Sequence, residues 1–409
     1  MKIKKIDIHH VRKESLSQWL FYSGILLAYW GSLNPWFLWS LGGLYPLFAG
    51  ILVIASMALQ KTIGNNWFCK SNFIIPVLLY ALISTYMLIS AGNNVNAYIA
   101  NVFNIAIFFS LFRLDDRKLA CLMEFLSKAM GGLLAVSLAC FLLYLAGFPF
   151  LGVDASFADY QYSYTNYFFF MIDDRSLFTI FPRFSSVFLE PGHMGTATVF
   201  LLMTQFGRWK KWYNVSLQVA TFLSFSLAAY VLYIVLIFLK LWVQGRAFIA
   251  KLTITAAILA TITVGSFFYN NGENLLHDLI VIRMEVDDGE LAGDNRVTED
   301  FDKDFEKLAK TNDIILGKKI ENPEFGNSGF KVYIYQNGII GLLLVACFYL
   351  SCMVGCKKKE GASALIISIL AFIVRGYPLW YCNFIPFYGL AHQETQSNEN
   401  ETNHGSMGT

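Results

Sequence analysis

Ten apolar runs divide this chain, at about 17–33, 35–59, 73–90, 95–112, 127–148, 186–206, 213–240, 251–269, 329–355 and 362–391. Most approach the roughly 20 residues that a helix needs to cross a hydrocarbon core of about 30 Å. Two depart from that length. The run 213–240 is long for one crossing, and 362–391 is interrupted by Arg375-Gly376-Tyr377-Pro378. Two polar connections are long, about 149–182 and 270–328, and the chain ends in a polar stretch from His392.

Charge orders these runs. Basic clusters occur at Lys61/Lys70, Arg113/Arg117/Lys118, Arg208/Lys210/Lys211, Lys240/Arg246/Lys251 and Lys357/Lys358/Lys359. Basic residues beside membrane spans favour the cytoplasmic side. If all five clusters are cytoplasmic, 213–240 must cross twice, turning near Ser224-Phe225-Ser226, and 362–391 must form a second hairpin. The pattern therefore predicts an all-α polytopic membrane protein with about 12 transmembrane crossings and both termini in the cytoplasm. Residues 1–16 form a cytoplasmic N-terminus, 17–391 the transmembrane domain and 392–409 a disordered tail. Lys2, Lys4, Lys5, Arg12 and Lys13 precede a first run that has no convincing cleavage site, so it reads as an uncleaved span.

The two long loops then lie on the outer face. The second, 270–328, holds 15 of the 29 acidic residues against seven basic ones, and its length suggests a folded element. Within it, Arg296 to Thr311 reads as a helix, with Phe301, Phe305 and Leu308 on one face and Glu299/Lys303 and Glu306/Lys310 one turn apart.

Composition narrows the function classes. Apolar residues make up 56% of the 409 and charged residues 15%, with mean hydropathy +0.49. An ordinary soluble domain is about 25% charged. This excludes a soluble enzyme, a disordered chain and a nucleic-acid binder. The net charge of +2 creates no useful global field. The seven cysteines lie in or beside apolar runs without CxxC or zinc spacing, and read as small apolar side chains.

Ionisable residues in or beside spans are the chemical candidates, because burying one at mid-bilayer costs roughly 2.5–3.5 kcal/mol on insertion scales. Few exist. Arg183, Glu190 and His193 flank the start of the run 186–206, Arg375 interrupts the last run, and Arg296 opens the amphipathic helix. The topology directs all of them to the outer face. Pro191 suits a first helical turn, which puts Glu190 near the N-cap and His193 in the first turn. Gly192 and Gly195 leave room for close approach. Taken alone, these residues fit a capping carboxylate and a snorkelling arginine as well as a reactive site. Asp300-Phe-Asp302-Lys-Asp304 has the DxD spacing of metal-dependent transferases, but on a helix Asp300 and Asp302 point about 200° apart, so the stretch reads as a solvated acidic face and no metal site is expected. His277 reads as a surface residue. Tyr160, Tyr162, Tyr164 and Tyr167 suit interfacial anchoring or sugar stacking.

The order of these features resembles the bacterial O-antigen polymerase family, within the superfamily of O-antigen polymerases and ligases. The resemblance rests first on Arg183, a small polar residue and Glu190-Pro191-x-x-x-Gly195 opening a span after an outer loop. It continues in Thr221 to Tyr230, which is similar to a serine-containing hairpin turn, although Leu227 stands where the family carries an arginine. It ends in Arg296, Leu316-Gly317, Asn327-Ser328-Gly329, the stretch Tyr335 to Gly341, and Arg375-Gly376. It covers about 180–380.

The resemblance implies an enzyme of the bacterial inner membrane. It would be a metal-independent glycosyltransferase, without cofactor, polymerising undecaprenyl-diphosphate-linked oligosaccharide repeat units on the periplasmic face. Membrane lipids, a chain-length regulator and a flippase would be its partners in polysaccharide biosynthesis. Arg183, Arg296 and Arg375 would bind the diphosphate, since a guanidinium fork matches phosphate oxygens. Glu190, then His193, would take the acceptor proton. Two alternatives stay open. An O-antigen ligase would share fold and leaving group. A lipid-linked oligosaccharide transporter would show repeat symmetry and polar groups at the membrane midplane; the sequence has no internal repeat, and its ionisable residues cluster at the outer edge.

Overall fold

The computed structural model describes residues 8–63, 68, 70, 73–92, 94–157, 162–174, 181–245, 249–254, 257, 261, 286–287, 290–291, 298–320 and 329–392. The described chain is mostly helical. In order it forms α1 (Ile8–Gly31), a 3₁₀ segment (Trp36–Leu44), α2 (Tyr45–Ile63), α3 (Ile74–Ala91), α4 (Val95–Arg113) and α5 (Asp116–Leu145). Strands β1 (Val153–Phe157), β2 (Tyr162–Asn166) and β3 (Met171–Asp173) follow, then α6 (Pro191–Thr204), α7 (Trp212–Leu223) and α8 (Leu227–Gln244). A two-residue ladder (Val286–Asp287, Glu290–Leu291) precedes α9 (Glu299–Ala309), α10 (Phe330–Cys352), α11 (Lys358–Arg375) and α12 (Tyr381–His392).

Among the described residues, six helical stretches are long and apolar enough to cross a membrane: 36–62, 74–91, 95–113, 116–145, 227–244 and 330–352. The chain is therefore a membrane-embedded, largely helical protein. The run 213–240 is divided at Ser224–Ser226, with Ser226 at the N-cap of α8 accepting from Ala229 N. The last run is divided after Arg375, where Gly376 adopts the left-handed conformation that ends α11.

Two expected spans change. The helix expected from 127 begins at Asp116, because Asp115 caps it and Glu124 pairs with both Lys128 and Arg208. The run 186–206 is helical only from Pro191; residues 183–190 form an irregular segment that turns at Ser186, whose φ is +56°, with Phe188 N donating to Ser185 O. With 14 residues, α6 is about 21 Å long, and the 12-residue α7 and α12 are about 18 Å. These lengths fall short of a lipid-facing crossing. Every residue of α6 from Gly192 to Thr204 and of α12 from Tyr381 to Ala391 is buried, so the longer helices surround them. Apolar burial drives helices together weakly in lipid, where close approach and interhelical hydrogen bonds matter more. Thr198 on α6 meets Thr221 on α7 at 2.7 Å, and Ser17 and Ser56 exchange bonds between α1 and α2. Phe108, Phe112, Phe348 and Phe384 join α4, α10 and α12 in one aromatic core.

Helices α1 to α8 alternate in direction, as do α10 to α12, which gives the molecule two chemically different ends; the run 251–269 lies almost wholly outside the described residues. One end gathers the start of α5, the ends of α4, α10 and α12, and most of the basic clusters. Lys70 pairs with Asp116 at 2.6 Å, Arg113 donates to Phe68 O, Arg208 pairs with Glu124, and His392 Nε2 donates to Cys352 O. The other end gathers the start of α6, the Ser224–Ser226 turn, the end of α11 and the strands. Here the loop 149–182, expected as an outer connection, contains an antiparallel sheet in the order β1-β2-β3. The sheet braces the irregular segment before α6. Tyr164 is buried and donates to Leu189 O, Met171 N donates to Ser186 O, and Trp36 N donates to Val187 O.

The acidic loop is anchored at this same end. Helix α9 has Thr298 as its N-cap, and Phe301 and Leu308 pack on Val332 and Tyr335 of α10. Lys331 pairs with Asp302 at 2.6 Å, and Tyr335 OH donates to Asp304. Two of the three DxD carboxylates thus serve this docking. Residues 312–320 then cross a break in α10 at Gly338, whose φ is +63°. Gly317 lies against it; a Cβ at Gly317 would stand 2.6 Å from Gln336 and Gly338 backbone atoms, and one at Gly338 would collide with Ile315 O. Tyr86 OH fixes the crossing through Leu316 O and Asn337 O. Gly338→Ala is expected to destabilise the protein by at least about 2 kcal/mol, since the left-handed torsion alone costs about 1–2 kcal/mol for a residue with a Cβ. Gly355→Ala, also at positive φ but with open space around it, should lose only the torsional part. Unfolding midpoints of the two variants in detergent check the difference.

Candidate functional site

The site forms where α6 begins. Pro191 starts the helix and Glu190 occupies its N-cap position, but the carboxylate makes no capping bond. It turns instead to a guanidinium and an imidazole. Glu190 Oε2 lies 3.2 Å from Arg375 Nη1 and 3.2 Å from His193 Nε2. One oxygen thus serves both neighbours at distances longer than the 2.7–2.9 Å or so typical of charge-assisted bonds. The side chains differ in exposure: Arg375 is 10% exposed, His193 9% and Glu190 27%. The carboxylate is the part of the cluster that solvent or substrate reaches most readily.

Arg375 arrives as the last residue of α11, immediately before the Gly376 bend. Its guanidinium lies directly over Gly192, where any Cβ would collide with Nη2. The same Cβ would stand 3.2 Å from Ser226 Oγ, so the serine turn shares this space. Glycine at 195 permits a second contact, since a Cβ there would stand 2.9 Å from Ser224 Oγ and 2.8 Å from Ala229 Cβ. Arg375 Nε is buried and has no hydrogen-bond partner among the described residues. This buried arginine therefore keeps donor capacity beyond its bond to Glu190. The first-turn N–H groups of Gly192 and His193 have no carbonyl within α6 to bond, and they add the positive end of the helix dipole.

Arg183 reaches the same turn from the irregular segment. Its Nε donates to Ser224 O at 3.2 Å, and the backbone of Phe184 donates to Leu223 O at 2.9 Å. Arg183, Glu190, His193, Arg375 and the Ser224–Ser226 turn, which are up to 192 residues apart in sequence (375 − 183), are brought to one place. At Leu227, where the resemblance would place an arginine, α8 simply begins, and the guanidiniums beside the turn come from Arg183 and Arg375. Arg296 lies outside the described residues, as does His277.

Trp380 is a component that sequence reading does not single out. Its ring meets His193 edge-on at 4.6 Å and stacks on Tyr377 at 4.4 Å. The Pro378 break places both aromatics in the bend between α11 and α12, close to the imidazole. No protein-family model, curated protein or solved structure matches the chain.

Proposed function

We propose that this protein is an inner-membrane glycosyltransferase that polymerises undecaprenyl-diphosphate-linked oligosaccharide repeat units at the periplasmic face. The observation that carries the reading is the meeting of a buried arginine, a half-exposed carboxylate and an imidazole at the start of a buried helix. An anion with several oxygens fits such a place, since helix N-termini and arginine forks both favour phosphate. The resemblance in motif order adds the polyprenyl diphosphate and the sugar. Supporting the sidedness, most basic clusters lie at the end opposite the site. The twelve-crossing arrangement with cytoplasmic termini belongs to this proposal, and the alternation of α1 to α8 and of α10 to α12 favours it.

In this mechanism the acceptor hydroxyl of the incoming lipid-linked unit gives its proton to Glu190, with His193 holding the carboxylate in place. The freed oxygen attacks the anomeric carbon of the growing glycan. The bond from that carbon to the diphosphate oxygen breaks, and undecaprenyl diphosphate leaves with the electron pair. Its growing negative charge is met by Arg375, Arg183 and, by the resemblance, Arg296. Fixed positive groups aimed at developing charge are the largest single source of rate in many enzymes.

Deletion of the gene, complemented with variants, tests the reading in cells. Without the protein, single repeat units should remain. Arg183→Ala and Arg296→Ala should each reproduce that defect at normal protein level. Accumulation of lipid-linked polymer would instead indicate the ligase, and normal chain lengths in both variants would refute the arginine mechanism.

A further inference from the structure

Trp380, whose ring meets His193, also lines a cavity of about 270 Å³ between α2, α3, α4 and the α11–α12 bend. Its lining is unusual for the interior of a membrane protein. Tyr45, Tyr80, Asn101, Asn104, Tyr377 and Trp380 contribute phenol, amide and indole groups, and among the described residues no Asp, Glu, Lys or Arg lines it. Asn101 and Tyr80 are buried, at 6% and 3% exposure. Polar side chains inside a membrane protein are costly unless they have partners, and their usual reason is function.

The hydrogen bonds within the wall leave donors over. Tyr381 OH donates to Asn104 Oδ1 at 2.5 Å, which fixes the amide so that its N–H₂ group is the part left to bond. Asn101 has only a long contact, 3.4 Å, to Thr85 Oγ1. The Tyr45 and Tyr80 hydroxyls have no hydrogen-bond partner among the described residues. They stand within electrostatic reach of each other and of Tyr381. The cavity thus combines flat aromatic faces with uncharged groups that both donate and accept. Sugars match that chemistry, with apolar C–H faces for the rings and hydroxyls for the amides and phenols. The volume lies just below the roughly 300 Å³ where drug-sized sites begin, which suits one sugar residue. The uncharged lining disfavours a phosphate or a sugar acid.

The geometry points to a subsite for one neutral sugar residue of the glycan, walled by Tyr45, Tyr80, Asn101, Asn104 and Trp380. The assignment rests on the glycosyltransferase reading, because Trp380 is the shared wall between this cavity and the Glu190–His193–Arg375 cluster. A sugar seated here is held one side chain from the groups that handle the diphosphate and the proton.

The test uses the full chain in lipid nanodiscs and saturation-transfer NMR with methyl glycosides of neutral hexoses, 6-deoxyhexoses and N-acetylhexosamines. At least one glycoside should receive magnetisation at its ring protons. Its affinity should fall about two- to thirteenfold in Tyr80→Phe and in Asn101→Leu, the loss expected for one hydrogen bond of about 0.5–1.5 kcal/mol. Tyr80→Phe removes a single oxygen and guards against misfolding, which unfolding midpoints would report. No transfer from any glycoside, or transfer unchanged in both variants, would overturn the subsite. A polymer ladder without variant-sensitive binding would discard the subsite and keep the enzyme. Variant-sensitive binding without a ladder would do the reverse.

Discussion

Arg375→Ala is expected to abolish polymer formation, with a loss of about 10²–10³-fold or more, the range seen when one donor to a developing oxyanion is removed. The guanidinium is nearly buried, contacts Glu190 Oε2, lies on Gly192 and retains an unpartnered Nε. Among the described residues, the other side chain on that carboxylate oxygen is the His193 ring. Arg375→Lys separates charge from shape. A lysine keeps the charge but lacks the planar fork and is a compact, strongly hydrated point charge. It should therefore recover only a small part of the rate. Because removing one partner of a buried pair also destabilises the fold, unfolding midpoints must accompany the rates. A folded Arg375→Ala protein that builds normal chains would exclude this arginine from the reaction.

The second large effect is expected at Gly192. Alanine there is a single methyl group on a buried helix, ordinarily a mild or favourable change. Here the methyl would occupy the place of Arg375 Nη2. The guanidinium must swing off the start of α6, and its contact with Glu190 goes with it. Gly192→Ala should thus lose activity nearly as fully as Arg375→Ala while keeping the secondary structure, since α6 gains helix propensity. The combined variant Gly192→Ala/Arg375→Ala should be little worse than either alone, because both act on one contact. Rate measurements on all three proteins check this. Additive losses would mean that Gly192 acts through something other than the arginine.

Parts of this arrangement are legible in the chain. Arg375 stands out because a charge inside an apolar run is costly, and Glu190-Pro191 marks a helix start by ordinary propensity. The Ser224–Ser226 turn follows from basic clusters on both sides of an overlong run. Other features are hidden for physical reasons. Residues 186–189 are nearly as apolar as a span, and nothing local reveals that they are not helical, because the bonds that hold them come from Met171, Trp36 and Tyr164 elsewhere in the chain. Tyr162 to Asn166 alternate as a strand does, but three short strands carry a weak pattern beside long helices. Glu190 looks like a cap because spacing fixes its position and not its side-chain partner, which lies 185 residues away. Asn101 and Asn104 do carry a signal, two amides one turn apart in an apolar helix, yet only the fold brings them to Trp380.

Purified protein in lipid nanodiscs, given synthetic undecaprenyl-diphosphate repeat unit with and without EDTA, decides whether the chain polymerises without a metal. A ladder of polymer on a gel that survives EDTA and disappears in Arg375→Ala is expected. Folded wild-type protein that builds no ladder from its native repeat unit would contradict the polymerase reading.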